Sequence, residues 1–531
     1  MMKTPLSVQH LFEYATTYFP DQVIVARHAH GVHRYTYREF GERTRRLSQA
    51  LMSLGVGIGD RVGTFLWNDR EHLESYFAIP TMGAVLHTIN IRLAPNQIAY
   101  IINHAEDRVL IVDRALWPVL APLREQFVTV KAIILTGELP ESDPADTLDY
   151  ETLIKSATPL ARYPDLDEAS PMGMCYTSAT TGNPKGVVYS HRGIYLHSLT
   201  LGLANTMAIG MSDSVLPIVP MFHVNAWGVP FASLWFGSKI VLPGPAPTPT
   251  ELLQLLNDEK VTVAAGVPTV WLGLARELDA HPTPLALRLA VCGGSAAPES
   301  LIRRFEEHYH IPFLHAYGMT ETGPIASTAR LKTHHISLDY PRQLGIKATQ
   351  GFLVPGLSIQ LMRDGAILPW DGHEFGEMCI RGPWIADEYF RDERSRDTFI
   401  DGWLHTGDVA SIDPDGYIHI VDRTKDVIKS GGEWISSVDL ENALMAHPAV
   451  FEAAVVGVPH PKWDERPLAF VVLKSGERCT KEDLIALLAD KFARWQWPDD
   501  VLFVDEIPKT SVGKFLKRTL REQYQNYFTS V

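Results

Sequence analysis

The chain has 531 residues, 46% of them hydrophobic and 21% charged, with a formal net charge of −14 at pH 7. Such a length predicts about three to four domains or subdomains and an ample core, while the acidic excess argues against general nucleic-acid binding. Cys175, Cys292, Cys379 and Cys479 are too widely spaced for a metal knuckle or a Cys-x-x-Cys motif and are expected to be reduced and mostly buried.

The N-terminal stretch MMKTPLSVQHLFEYATTYFP lacks the apolar centre of a signal peptide, so the mature protein is expected to begin near residue 1. No run of about 18 residues is free of polar or turn residues, and neither a transmembrane segment nor export from the cytoplasm is expected. From Tyr35 to Val112, apolar runs at Val62 to Leu66 and Val85 to Ile89 alternate with helical-period segments at Tyr37 to Leu54, His72 to Met82 and Asn96 to Ala105. That alternation predicts βαβ units around a largely parallel sheet. It recurs between Leu201 and Leu314, where Val261 to Val267 and Arg288 to Gly294 read as buried strands ending in glycine, with Gly293, Gly294 and Ser295 at the mouth of the sheet. From about residue 344 to 423 short strands and turns predict a β-rich subdomain, and residues 424–531 read as a compact α+β unit. The fold class is α/β, with domains expected at 1–423 and 424–531.

The most informative segment is YTSATTGNPKG, Tyr176 to Gly186, which follows an apolar run. Thr177, Ser178, Thr180 and Thr181 offer hydroxyl donors, Gly182 and Gly186 let backbone N–H groups turn inward, and Lys185 supplies a cation, a donor set suited to a polyphosphate. The Walker template fails, because Pro184 precedes Lys185 and the hydroxyls come first. Further motifs follow in order: YGMTETG (Tyr317 to Gly323), HTGDVA (His405 to Ala410), DRTKDVIKSGGEWIS (Asp422 to Ser436) and PKTSVGKFLKR (Pro508 to Arg518). Together they resemble the adenylate-forming superfamily of acyl-CoA synthetases, peptide-synthetase adenylation domains and luciferases, over essentially the whole chain. PMFHVNAWG (Pro220 to Gly228) and KSGGEWISSVDLENAL are most similar to the medium- and long-chain fatty acyl-CoA synthetases.

The resemblance implies an ATP- and Mg²⁺-dependent acid-thiol ligase that forms acyl-AMP and pyrophosphate, then acyl-CoA and AMP. Thr177, Ser178, Thr180, Thr181, Gly182 and Lys185 would hold the β- and γ-phosphates, Thr320 the α-phosphate, and Glu321, with Thr177, the metal. Asp408 and Arg423 would bind the ribose; Tyr317, His315, Ala316 and the turn from Gly294 and Ser295 to Pro298 would frame adenine. Lys514 would bridge the attacking carboxylate and the α-phosphate. Lys425 is the expected hinge of a mobile C-terminal domain and is counted, with Trp434, on the nucleotide side. Lys429, Gly431 and Gly432 would serve the coenzyme A step. His223, Val224 and Trp227 are expected to wall the acyl pocket, and His223 replaces the aspartate that amino-acid-activating relatives carry. Read singly, Glu321 is a helix-start carboxylate, Tyr317 and Trp227 core aromatics, Gly431-Gly432 a turn, and Lys514 a surface lysine. Ala179 stands where the superfamily's loop commonly has glycine. Too few residues follow Lys514 for a carrier domain in cis. Carrier loading in trans, adenylate oxidation, ligation of aryl, short-chain or sulfur-containing acids, and a noncatalytic nucleotide or lipid sensor stay open as alternatives, as does a homodimer.

Overall fold

The structure, a computed structural model, describes residues 2–28, 31–137, 144, 146–177, 183–424, 426–431, 433–489, 491–509 and 515–529, without the side chains of 433 and 434. Among these residues the strands gather into four sheets of nine, seven, six and five strands. In the seven-stranded sheet, Arg61–Phe65 pairs in parallel with Val85–Thr88 and Asp107–Asp113, and Val85–Thr88 pairs in parallel with Pro171–Tyr176. In the nine-stranded sheet, Val23–His28, Lys239–Leu242, Ser214–Pro217, Val263–Gly266, Leu289–Cys292 and Phe313–Gly318 lie side by side in parallel, with antiparallel strands at both edges. The βαβ alternation therefore resolves into two doubly covered sheets.

Strand side chains alternate faces, so each strand feeds two cores. Ile24 and Ala26 join the cluster between the two large sheets, while Val25 between them joins the outer cluster of the nine-stranded sheet. Val109 and Ile111 face the same shared core, while Leu110 and Val112 face the outer cluster of the seven-stranded sheet. Helices sandwiched between the sheets fill the shared core with interlocked rings: Phe40, Phe77 and Phe231 are fully buried, and the Phe40–Phe77 and Phe77–Phe231 centroids are 5.7 and 5.3 Å apart in edge contacts. Such aromatic packing fixes the spacing of the sheets as well as burying area. Local chemistry sets the helix starts. Thr36 and Glu39 form a reciprocal capping box at Tyr37–Ser53, and Asp69 accepts the His72 N–H at the start of Arg70–Thr81.

Residue 344 falls inside a helix, Tyr340–Ala348, and Phe352–Leu353 pairs with the nine-stranded sheet, so the six-stranded sheet proper begins at Ser358–Arg363. Its longest pair, Trp403–Ile412 with Ile418–Arg423, leads directly into the C-terminal five-stranded sheet. There a long antiparallel pair, Val450–His460 with Asp464–Leu473, packs against the helix Ser437–Met445. No helix among the described residues is long and apolar enough to cross a membrane.

Where the strand Ile418–Arg423 meets the C-terminal unit, polar contacts dominate. Lys517 Nζ lies 2.8 Å from Glu441 Oε1 and 4.0 Å from Asp422 Oδ2, with Ser437 Oγ bonded to both Lys517 and Asp422. His419 Nε2 lies 3.0 Å from Asp439 Oδ1, and this hydrogen bond raises the histidine above its ordinary pKa against the effect of burial. A raised histidine contributes stability that is complete below its unfolded pKa of about 6.5 and fades as pH rises through the folded value. The stability difference between the wild type and Asp439→Asn, measured by denaturant melts from pH 5.5 to 9, is therefore expected to be largest at the acidic end and to shrink as pH rises.

Candidate active site

The candidate residues follow the carboxyl ends of Pro171–Tyr176 in the seven-stranded sheet and of Leu289–Cys292 and Phe313–Gly318 in the nine-stranded sheet, the end at which open α/β sheets bind ligands. The hydroxyl-rich loop spans the antiparallel strands Pro171–Tyr176 and Gly186–Ser190. Its neck is closed by the Thr177 N–H donating to the Lys185 carbonyl at 2.9 Å and the Lys185 N–H donating to Thr177 Oγ1 at 3.3 Å. Ser178, Ala179, Thr180, Thr181 and Gly182 lie outside the described residues. Cys175, near the end of the first strand, is buried, as a small strand residue should be.

Lys185 Nζ donates to the Tyr389 hydroxyl at 2.8 Å, and that hydroxyl donates to Glu321 Oε1 at 2.7 Å. One phenol therefore joins an ammonium to a carboxylate. Burial lowers the Lys185 pKa, an effect that the nearby Glu321 charge opposes, and burial with the same carboxylate raises the Tyr389 phenol, keeping it a donor. Backbone contacts hold Tyr389 there: it forms an antiparallel bridge with Val187, the Phe390 N–H donates to the Gly186 carbonyl at 2.8 Å, and Arg394 donates from both terminal nitrogens to Asn183 O at 3.1 Å. Glu321 is only 4% exposed, in the short turn Thr320–Thr322, where the Thr320 carbonyl accepts from the Tyr189 hydroxyl at 2.8 Å. A carboxylate has about four lone-pair sites, and Tyr389 takes one. The buried acid beside an ammonium and hydroxyls is an oxygen donor set that fits Mg²⁺ carried on phosphate.

A second cluster adjoins the first. The Tyr317 hydroxyl donates to Asp408 Oδ2 at 2.6 Å, and Arg423 Nε lies 3.0 Å from Asp408 Oδ1. Asp408 and Arg423 are register partners across the pair Trp403–Ile412 and Ile418–Arg423, which is why residues 15 apart in sequence meet. Asp408 holds Arg423 protonated, with Tyr317 and Glu321 adding to the effect, so the two clusters share one electrostatic environment. His315 and Ala316 lie on the strand Phe313–Gly318 behind Tyr317. The His315 ring turns away from the cleft, its Nδ1 donating to Thr349 O at 2.7 Å, and the backbone is what it can offer a ligand. Gly294 adopts φ +84°, and Ser295 beside it is exposed.

The acyl-pocket candidates occupy an unusual conformation. Val224, Asn225, Ala226, Trp227 and Gly228 all have positive φ, from +37° to +72°, a left-handed turn that costs L-residues roughly 1–2 kcal/mol each. Its base is anchored by Asn68, whose Oδ1 accepts the Met221 N–H at 2.7 Å and whose Nδ2 donates to Pro217 O and Val219 O at 2.9 Å. His223 starts the turn and is half-buried; Val224 and Trp227 are buried. The turn brings the Trp227 indole against the glycine pair: a Cβ on Gly293 would stand 3.2 Å from Trp227 Cη2 and 2.7 Å from the Ala316 carbonyl oxygen. Acyl and nucleotide candidates thus share a wall.

In the C-terminal unit, Lys429 is exposed, with its N–H donating to Glu465 Oε2 at 3.0 Å, and Gly431, at φ +61°, lies under the Trp463 ring. Lys425, Gly432, Lys514 and the Trp434 side chain are outside the described residues.

The model of the AMP-binding enzyme family matches residues 12–390, and that of the AMP-binding enzyme C-terminal domain matches residues 439–514. The chain belongs to the AMP-binding enzyme family. It is 49% identical to a long-chain-fatty-acid–CoA ligase of Thermus thermophilus, with 99% of this chain and 97% of that protein covered. It is 42% identical to a medium-chain-fatty-acid–CoA ligase of Ectopseudomonas oleovorans, again over 99% and 97%. The crystal structure of an anthranilate CoA ligase in complex with anthranoyl-AMP superposes with a TM-score of 0.89 at 26% identity, covering 99% of both chains.

Within this member of the family, Tyr389, Tyr189 and Arg394 are site residues that sequence reasoning passed over. EYFRD carries no cluster of donors and no glycine signature; only the bridge to Val187 reveals what Tyr389 faces. Removing the phenol strips a charge-assisted hydrogen bond from half-buried Lys185 and another from buried Glu321. Tyr389→Phe is therefore expected to destabilise the ligand-free protein by roughly 1.5–3 kcal/mol, read as the shift of its denaturant midpoint.

Proposed function

We propose that this protein is an AMP-forming fatty acid–CoA ligase that activates a medium- or long-chain carboxylic acid as acyl-AMP and transfers the acyl group to coenzyme A. The observation that carries the reading is the junction of the Lys185–Tyr389–Glu321 chain with the Tyr317–Asp408–Arg423 cluster in one cleft. One end suits a polyphosphate, the other a nucleoside. The medium- and long-chain acid preference rests on the names of the two relatives and on the apolar walls that Val224 and Trp227 provide.

In this reading, Asp408 accepts hydrogen bonds from the ribose hydroxyls and Arg423 keeps its carboxylate in place. Tyr317 presents its ring to adenine, while the backbone of His315 and Ala316 and the turn at Gly294 and Ser295 border the base. Thr177, Ser178, Thr180, Thr181, Gly182 and Lys185 hold the β- and γ-phosphates, and Thr320 the α-phosphate. Glu321, with Thr177, holds Mg²⁺, which when bound neutralises charge on the phosphate oxygens. Binding requires Lys185 and Glu321 to exchange contacts through Tyr389 for contacts with the phosphates and their cation, so the buried charges are paired before and after. The acid lies along the wall formed by His223, Val224 and Trp227, its carboxylate oxygen facing the α-phosphorus. Attack forms the C–O–P bond of acyl-AMP and expels pyrophosphate. Lys514 supplies the cation for that step. For thioester formation, rotation at Lys425 brings Lys429, Gly431 and Gly432 to the cleft with Trp434, and the CoA thiolate displaces AMP. The domains meet at residues 423 and 424, with the β-rich subdomain beginning at Ser358. The proposed location is the cytoplasm, in keeping with four unpaired cysteines, three of them buried.

Incubation with ATP, Mg²⁺ and octanoate or palmitate is expected to release AMP only when CoA is present; sustained CoA-independent turnover would overturn the ligase assignment. Lys514→Ala is expected to lower adenylation about 10²- to 10³-fold while largely preserving thioester formation from supplied acyl-AMP. Equal loss in both half-reactions would contradict a lysine that serves only the first.

A further inference from the structure

Three side chains converge at the end of the Trp403–Ile412 and Ile418–Arg423 pair that is remote from Asp408 and Arg423. His334 and His335 close the short turn Thr333–His335, and Asp415 sits in the turn between the two strands. His334 Nε2 and His335 Nε2 stand 3.2 and 3.1 Å from the same atom, Asp415 Oδ2, and all three ligand atoms lie within 4.8 Å of one another.

The neighbours of His335 fix its tautomer. Tyr417 Oη lies 2.7 Å from the Arg330 carbonyl oxygen, which can only accept, so the phenol proton points there. The phenol oxygen must then accept its remaining contacts, from the Lys332 N–H at 3.1 Å and from His335 Nδ1 at 3.2 Å. Nδ1 therefore carries the ring proton, and in the neutral imidazole Nε2 presents a bare lone pair. That lone pair faces a carboxylate oxygen at 3.1 Å. Two acceptors at this distance repel unless a positive centre lies between them. Either a proton on His335 or a metal ion relieves that repulsion, and the second imidazole aimed at the same oxygen supplies a metal with a third ligand.

The distances suit a metal. With bonds of about 2.0–2.1 Å to nitrogen and oxygen, tetrahedral geometry sets ligand atoms about 3.3 Å apart, close to the two edges observed. The Nδ1–H bond to Tyr417 is the outer contact that orients a ligating imidazole and fixes its tautomer. We propose that His334, His335 and Asp415 bind a divalent transition metal of zinc type, with water in the fourth position. Two nitrogen ligands select against Mg²⁺, so this site is chemically distinct from the one at Glu321. Lys332, whose ammonium donates to the Asp415 carbonyl, places a positive charge nearby that weakens cation binding. The bound ion ties the segment after the strand Ile325–Thr328 of the nine-stranded sheet to the strand turn of the six-stranded sheet. A second trio, Glu377, Cys379 and His405, lacks this imbalance, because His405 Nδ1 donates directly to Glu377 Oε2 at 2.8 Å.

The test uses the full chain, stripped with chelator, dialysed and titrated with zinc chloride by calorimetry, with metal content read after gel filtration. The expected result is one zinc per chain at micromolar Kd, a raised Tm, binding at least tenfold weaker in His334→Ala and Asp415→Asn, and binding unchanged in Cys379→Ser. Cobalt in place of zinc is expected to give the visible bands of a four-coordinate ion, lost in the same two variants. His334 is exposed, so its alanine variant folds and isolates the ligand effect. The proposal is overturned if no zinc is retained, if His334→Ala and Asp415→Asn bind like the wild type, if Cys379→Ser abolishes binding, or if ring ¹⁵N shifts report a His335 imidazolium that zinc leaves unchanged.

Discussion

A half-buried ammonium and a buried carboxylate, Lys185 and Glu321, are held one phenol apart by Tyr389. The buried carboxylate in particular requires a partner, since removing it would leave the charge desolvated and uncompensated. Much of the surrounding architecture serves the arrangement. The segment carrying Tyr389 is sewn to the phosphate-loop limb by a strand bridge and by Arg394, and Glu321 sits in a turn whose carbonyl is fixed by Tyr189. The network is compatible with a polyphosphate and its cation because it offers the same two charges to a new pair of partners.

The acyl side is built on strain instead of charge. Five successive residues in the left-handed region are costly, and only Gly228 escapes the penalty of a Cβ. Burial of Val224, Ala226 and Trp227 offsets the cost, and Asn68 clamps the base of the turn. The consequence is placement. The Trp227 indole approaches a glycine whose Cβ would collide with a backbone carbonyl, so the apolar wall and the glycine turn are packed in contact.

The connection to the C-terminal unit is mostly polar. Asp422, Ser437, Glu441 and Lys517 form a shared network, and burial pushes the Glu441 carboxyl up to about 7 even though Lys517 works against the shift. Polar contacts at a junction resist separation less than an interlocked apolar core does, and their strength varies with protonation. Such a join is compatible with the proposed rotation of the C-terminal unit.

Sequence alone determined the class of fold, the alternation that makes two parallel sheets and the superfamily, because these depend on periodicity and on residues adjacent in the chain. Tyr317 and Asp408 stood out as candidates for the same reason, each sitting inside a compact motif. Tyr389, Tyr189 and the left-handed turn at Val224 were not. A lone tyrosine carries no local signal, and its position becomes meaningful only when its bridge to Val187, far away in the chain, aims its hydroxyl at Glu321. Likewise His334 and His335 meet Asp415 because two sheets abut there. Chemistry confined to one segment is written in the order of residues, whereas chemistry assembled across segments exists only once packing fixes the distances.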